Sequence, residues 1–232
     1  MRVYRGRADT IEADRAVSDE LVDRVASDGE PAVRVWRPHR QVAFGRRDVR
    51  ADGYEEARDI AEERKFPPVE REVGGRAVAY TGSTVAFARV TPVEDVRSGL
   101  QDRYDAATAD LIAALDELGV DASEGEPLDS FCPGTHSVQA DSSGRARKLA
   151  GLAQRVRADA AVVAGVLLVA DDDEIAEVLD PVYAALDVPF DPETVGSVAR
   201  AGGPSALESV IDAVERALVG AEPDGVERVD EE

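Results

Sequence analysis

The sequence predicts an α+β fold: a mixed, largely antiparallel sheet flanked by helices in a single domain. Three observations point there. Several short stretches alternate apolar and polar residues with period two, as half-buried strands do. Between them lie longer stretches with apolar residues three and four positions apart, the helical spacing. No internal repeat organises them, and 232 residues suffice for one domain with a full core.

Asp9–Ser27 reads as a polar amphipathic helix stopped by Gly29-Glu30-Pro31. Ala32–Pro38 and Gln41–Arg46 read as strands, and Tyr54–Lys65 as a short charged helix ended by Pro67-Pro68. Ala77–Tyr80 and Thr84–Val90 are expected to form a hairpin around Thr81-Gly82-Ser83. Asp102–Leu118 places Leu111, Ala114, Leu115 and Leu118 on one helical face, with Gly119 as its stop. Ser137–Ala140 and Leu149–Val156 pair as strands across the Asp141–Gly144 turn, and the apolar run Ala160–Ala170 supplies another strand. Asp173–Leu186 is helical. The last helix carries a capping box, Ser205 with Glu208, and the stripe Leu207, Val210, Ile211, Val214, Ala217 and Leu218 before Gly220. Residues 1–220 make up the predicted domain, and the acidic tail Ala221–Glu232 is expected to be disordered.

Charge excludes several function classes. Asp and Glu total 48 against 27 Lys and Arg, a net charge of -21. Such a surface repels phosphate backbones, which argues against nucleic acid as a partner. The acids are dispersed, and lysine is reduced to Lys65 and Lys148, as expected of a halophilic protein in concentrated salt. No run reaches the ~18 apolar residues of a membrane span. The N-terminus lacks an apolar export signal, and one cysteine excludes an internal disulfide. These features predict a cytoplasmic protein.

Candidate chemistry concentrates between Ser130 and Arg155. Cys132 sits in Phe131-Cys132-Pro133-Gly134, where proline and glycine impose a turn. A lone cysteine is compatible with a small buried hydrophobe as well as with a reactive thiol. Nearby Arg145 and Arg147 are expected to favour a thiolate, and His136 is a candidate base or a structural histidine. Lys148 opens the strand Lys148–Arg155, where a compact ammonium beside Ala150-Gly151 can meet a carbonyl or phosphate oxygen. Gly74-Gly75 between Arg71 and the strand at Ala77 is either a plain turn or a loop whose backbone N–H groups line a site. With only His39, His136 and one cysteine, no metal-ligand spacing is recognisable, and there is neither a P-loop nor a G-x-S-x-G element.

Three segments together resemble the lipoate–protein ligase and octanoyltransferase superfamily, whose catalytic domain is class II synthetase-like and shared with biotin–protein ligases. Arg71…Gly74-Gly75-Arg76-Ala77-Val78 resembles its Arg-rich Gly-Gly strand motif. Lys148-Leu149-Ala150-Gly151-Leu152-Ala153-Gln154-Arg155 resembles its lysine motif, and Ala161–Val169 the strand that follows. The Cys132-Pro133-Gly134 loop resembles that of cysteine-dependent octanoyl and lipoyl transferases. Arg76 stands where ATP-using ligases show a third glycine, and the ligases' accessory domain is not expected in the stretch after Ala170, although the resemblance includes archaeal ligases that carry it on a separate chain.

The resemblance implies transfer of an octanoyl or lipoyl group to the acceptor lysine of a lipoyl domain. Cys132 would carry the acyl group as a thioester and Lys148 would hold its carbonyl. Arg71, Gly74, Gly75, Gly151 and Ala153 would line the substrate tunnel. The implied partners are lipoyl domains of 2-oxoacid dehydrogenase complexes or the glycine cleavage H protein, with an acyl carrier as a further donor. The transferase route requires no cofactor. The alternative, a lipoate–protein ligase, requires ATP and Mg, with Lys148 on the acyl-adenylate. A non-catalytic lipoyl-binding module is a third reading.

Overall fold

Among the described residues the strands form two sheets of unequal size. The computed structural model describes residues 1–71, 75–95, 98–157, 159–220 and 223–229. The larger sheet has eight strands: β1 (Arg2–Arg5), β2 (Ala32–Trp36), β6 (Thr84–Pro92), β7 (Ala122–Glu124), β8 (Ser137–Ser142), β9 (Arg145–Arg157), β10 (Ala160–Leu168) and β11 (Gly225–Arg228). Their order is β11-β1-β2-β6-β10-β9-β8-β7. β1 runs parallel to both β11 and β2, and every other pairing is antiparallel. The smaller sheet sets β3 (Gln41–Phe44) between β4 (Pro68–Glu70) and β5 (Val78–Tyr80).

Among the described residues five α-helices cover these sheets: α1 (Ile11–Asp28), α2 (Tyr54–Glu63), α3 (Leu100–Glu117), α4 (Asp172–Ala185) and α5 (Leu207–Val219). Strand alternation explains their placement. Val33, Val35, Val85, Phe87 and Leu167 project into a core with Leu111 and Leu115 of α3 and Val210 and Val214 of α5. The opposite face is covered only in part, where Leu21, Val22 and Val25 of α1 meet Ala32, Val90 and Ala160. A third core joins α2, α4 and the small sheet around Phe44, Ala57, Val178 and Tyr183. Gly165 in β10 is required by packing, because a Cβ there would lie 2.3 Å from the Phe87 ring. Among the described residues no helix is long and apolar enough to cross a membrane.

Several expectations change. β5 and β6 do not form a hairpin. β5 pairs with β3, while both edges of β6 are taken by β2 and β10, so the Thr81–Ser83 connection passes from one sheet to the other. Ser205 makes no capping bond. Ala206 is the N-cap of α5, which leaves Glu208 in its first turn. The short strands β1, β4, β7 and β11 carry too few residues to show a period. β11 lies in the tail expected to be disordered. There Glu227 accepts from Arg24 at 3.0 Å and from Tyr4 at 3.2 Å, and the Val229 amide donates to the Arg5 carbonyl at 2.8 Å. Basic and hydroxyl groups of β1 and α1 give the acidic tail an ordered partner.

Candidate active site

The uncovered part of the sheet face is hollow because its residues are small. In register, Ala88 of β6 pairs with Ala164 of β10, which pairs with Ala153 of β9, and Val166 pairs with Gly151. These line a cavity of about 450 Å³, roofed by α1 and bordered by the small sheet and the loop after Ser130. Arg71, Gly75, Cys132, Lys148, Gly151 and Ala153 all border it, so six of the seven residues that the resemblance assigns to the site converge. Gly74 lies outside the described residues. Asp14 and Trp36 border the same cavity, and the indole N–H of Trp36 donates to Asp14 at 2.9 Å. Asp14 also holds Arg34, which is fully buried.

Cys132 stands on a turn with φ of 42°, in the left-handed region that side chains other than glycine seldom adopt. Two anchors hold it. Its N–H donates to Tyr183 Oη at 2.6 Å, and that hydroxyl donates to the Ala77 carbonyl at 2.9 Å. Phe131 beside it is buried in the α2–α4 core. Arg71 reaches Sγ at 3.2 Å from Nη2, which also donates to the Arg76 carbonyl. Burial alone would push the Cys132 thiol up. The Arg71 guanidinium, the Arg76 backbone N–H and the Lys148 ammonium outweigh it and hold the thiol below its ordinary value. Burial and the neighbouring thiolate charge keep the Tyr183 phenol protonated well above its usual range.

Arg145 and Arg147 are not among the main causes of that effect. Arg145 pairs with Asp191, and Arg147 donates to the Glu193 and Val195 carbonyls. The thiolate's partner is Arg71, 61 positions away in sequence, brought in by β4. His136 stacks on Tyr104 with centroids 3.6 Å apart, and its Nδ1 stands 4.0 Å from Glu124. Its ring borders the cavity, and among the described residues no hydrogen bond joins it to Cys132.

Lys148 is not an edge lysine but a fully buried one. Its Nζ donates to Glu126 at 2.9 Å and to the Phe131 and Cys132 carbonyls, both at 3.0 Å. Burial depresses its pKa, and the Glu126 carboxylate counters part of the shift. An ammonium has three hydrogens, and these three acceptors use them all. In this arrangement Lys148 fastens the turn that bears Cys132, and a bound acyl carbonyl becomes its partner only by replacing one of the three.

The sequence alone does not single out Glu126, one acid among many. It also receives the hydroxyls of Ser130 and Ser137 and the Gly134 N–H at 3.3 Å. Its only sequence signal is that a buried lysine needs a carboxylate, and burial of Lys148 is itself invisible there. Among the described residues no group of three or more His, Cys, Asp or Glu side chains is placed to hold a metal.

A half-buried thiol with a lowered pKa, flanked by a guanidinium and an ammonium at the head of an apolar cavity, suits covalent transfer of an acyl group. Known proteins resemble this chain in sequence and in fold. Residues 11–219 match the family model of the lipoyl protein ligase A/B catalytic domain. An octanoyl-[GcvH]:protein N-octanoyltransferase from Exiguobacterium sibiricum is 30% identical over 208 residues, covering 88% of this chain and 71% of that protein. One of the same name from Geobacillus kaustophilus is 29% identical over 149 residues, 63% of this chain and 51% of that one. Among solved structures, lipoate-protein ligase A bound with ATP superposes with a TM-score of 0.76 at 20% identity, over 99% of this chain and 89% of that one. The bi-partite lipoate protein ligase of Thermoplasma acidophilum gives 0.68 at 17% identity, over 99% and 87%. At these identities the structural likeness speaks for the fold.

Proposed function

Because the chain belongs to the lipoyl protein ligase A/B catalytic-domain family, we propose that it lipoylates proteins by moving an octanoyl or lipoyl group onto the lysine of a lipoyl domain through a thioester at Cys132. The observation that carries this reading is the Cys132 thiol, held 3.2 Å from the Arg71 guanidinium and below its ordinary pKa.

The thiolate attacks the carbonyl carbon of an acyl amide or thioester. The C–S bond forms, the bond to the donor nitrogen or sulfur breaks, and the leaving group takes up a proton. The apolar floor of Ala88, Ala153 and Ala164 accommodates the acyl chain. Exchange of one Lys148 acceptor for the acyl oxygen stabilises the charge that develops there. The amine of the acceptor lysine, having lost its proton, then attacks the thioester. The C–N bond forms and the thiolate is restored. Donors that fit are an octanoylated H protein, which the named activity of the relatives suggests, or a carrier-bound acyl group.

The second reading draws on the ATP-bound structure of the same fold. On that reading ATP and Mg would supply the activation of free lipoate, Lys148 would contact the activated acyl group, and Cys132 would be a bystander. Replacing Cys132 with Ala separates the two. The transferase reading expects the loss of at least about a thousandfold in transfer. It also expects that the acyl mass seen on the intact wild-type protein after incubation with octanoylated donor disappears. ATP-dependent lipoylation retained by Cys132→Ala rejects it.

A further inference from the structure

We propose that the turn bearing Arg46, Arg47 and Arg50 is the docking surface for the acceptor, a small acidic protein domain that presents its lysine to Cys132. The inference rests on the acyl-transfer reading and adds to it the face on which the acceptor sits.

The turn follows β3 and is built around a buried acid. The Asp48 carboxylate, fully buried, accepts from the Gly45 N–H at 3.0 Å and from Arg76 at 3.1 Å. The Asp48 and Val49 amides both return to the Gly45 carbonyl, at 3.0 and 3.2 Å. With the acid locked inside, Arg46, Arg47 and Arg50 remain exposed. No carboxylate lies within 4.0 Å of their guanidinium groups among the described residues. Elsewhere arginines are commonly neutralised, as Arg40 is by Glu174 at 2.7 Å and Arg157 by Asp23 at 3.1 Å. In a chain with a net charge of -21, three free cations within five residues form a local reversal of sign.

The turn also adjoins the reaction centre. Gly45 backs onto the Gly75 carbonyl so closely that a Cβ would come within 2.3 Å of it, and Gly75 borders the cavity. The Arg71 amide donates to the Phe44 carbonyl at 2.9 Å, and the Arg71 side chain reaches Cys132 Sγ.

The chemistry fits an acidic protein surface better than a small phosphorylated ligand. None of the three arginines borders the cavity. The turn's Gly45 N–H, which an anion nest would need, is already given to Asp48. Charges on a rim steer encounter and orient the partner, and here the rest of the surface repels an acidic one.

The test titrates the full chain with an unmodified lipoyl domain of net negative charge and reads the dissociation constant at fixed ionic strength. Arg46→Glu/Arg47→Glu/Arg50→Glu is expected to weaken binding roughly ten- to a hundredfold. The neutral triple Gln variant should give a smaller loss, with thermal melts confirming that both fold. Arg64→Glu and Arg228→Glu reverse exposed arginines elsewhere and should leave the constant within about twofold. Unchanged binding by the triple Glu variant, or an equal loss in the controls, overturns the proposal. So does intact domain binding with loss only of Cys132 loading from octanoyl-CoA, which would mark a site for phosphorylated donors. If the wild-type chain never loads Cys132 but domain binding still depends on these arginines, the acyl-transfer reading falls and the docking surface stands.

Discussion

Burial and charge act in opposite directions on Cys132, and the two cations beside it decide the outcome. Arg71 is the larger of them, so Arg71→Gln leaves desolvation opposed only by the Arg76 N–H and Lys148 and should move the thiol pKa up. Cys132 is the chain's only thiol, so its alkylation by iodoacetamide against pH reads the change directly. The wild-type midpoint is expected below the ordinary thiol value of about 8.5 and the Arg71→Gln midpoint above it. Coincident midpoints would show that Arg71 does not set the thiolate. The same shift enters stability with a definite sign. A folded-state pKa below the unfolded one contributes stability that is complete above about pH 8.5 and fades as pH falls through the folded value. Lys148 also has a depressed pKa, but as a base, so its burial costs stability while it stays charged, a cost relieved as pH rises through its folded value.

β6 and β10 carry the fold and the site at once, because alternate residues face a packed core and a hollow. On β6, Val85 and Phe87 fill the core while Ala88 floors the cavity, and Gly165 of β10 accepts the Phe87 ring. Gly165→Ala puts a methyl group where the ring lies, in a core unable to yield, and should cost about 1–3 kcal/mol. A melting temperature equal to wild type would mean that the ring moves aside freely. Period and length made most of these elements legible. The helices α1 to α5 and the strands β2, β3, β6, β8, β9 and β10 lie where apolar spacing placed them, with ends shifted by a few residues. Pairing was not legible where it depends on which edge is free. The three-residue gap between Tyr80 and Thr84 fits a hairpin equally well, and only competition from β2 and β10 decides against one. Cys132 and Lys148 stood out by rarity, while Gly75 and Gly151 were placed in the site only through the motifs of the family resemblance. Glu126 and Asp48 were not legible, since their roles come from burial beside a cation.

Across the whole molecule, 48 acids face 27 basic residues, and dilute buffer leaves that imbalance unscreened. Two electrostatic effects then respond oppositely to salt. Ion pairs such as Arg24–Glu20 and Arg216–Glu117 are exposed, worth about 0–1 kcal/mol each, and weaken as salt rises. Repulsion among the surplus acids acts over the whole surface and also weakens. Because the surplus reaches -21, relief of repulsion should exceed the loss of pairs. Raising KCl from about 0.1 to 1 M shortens the screening length from about 10 to 3 Å. The melting temperature is therefore expected to climb by roughly 5 °C or more. The pair that holds the site resists this screening, since Lys148 is buried against Glu126. The alkylation profile of Cys132 should accordingly move less with salt than the melting temperature does. A flat or falling melting temperature would show that the arginine pairs, rather than the acid surplus, govern this surface. A thiol midpoint that drifts upward with salt would place Arg71 and Lys148 in contact with bulk ions.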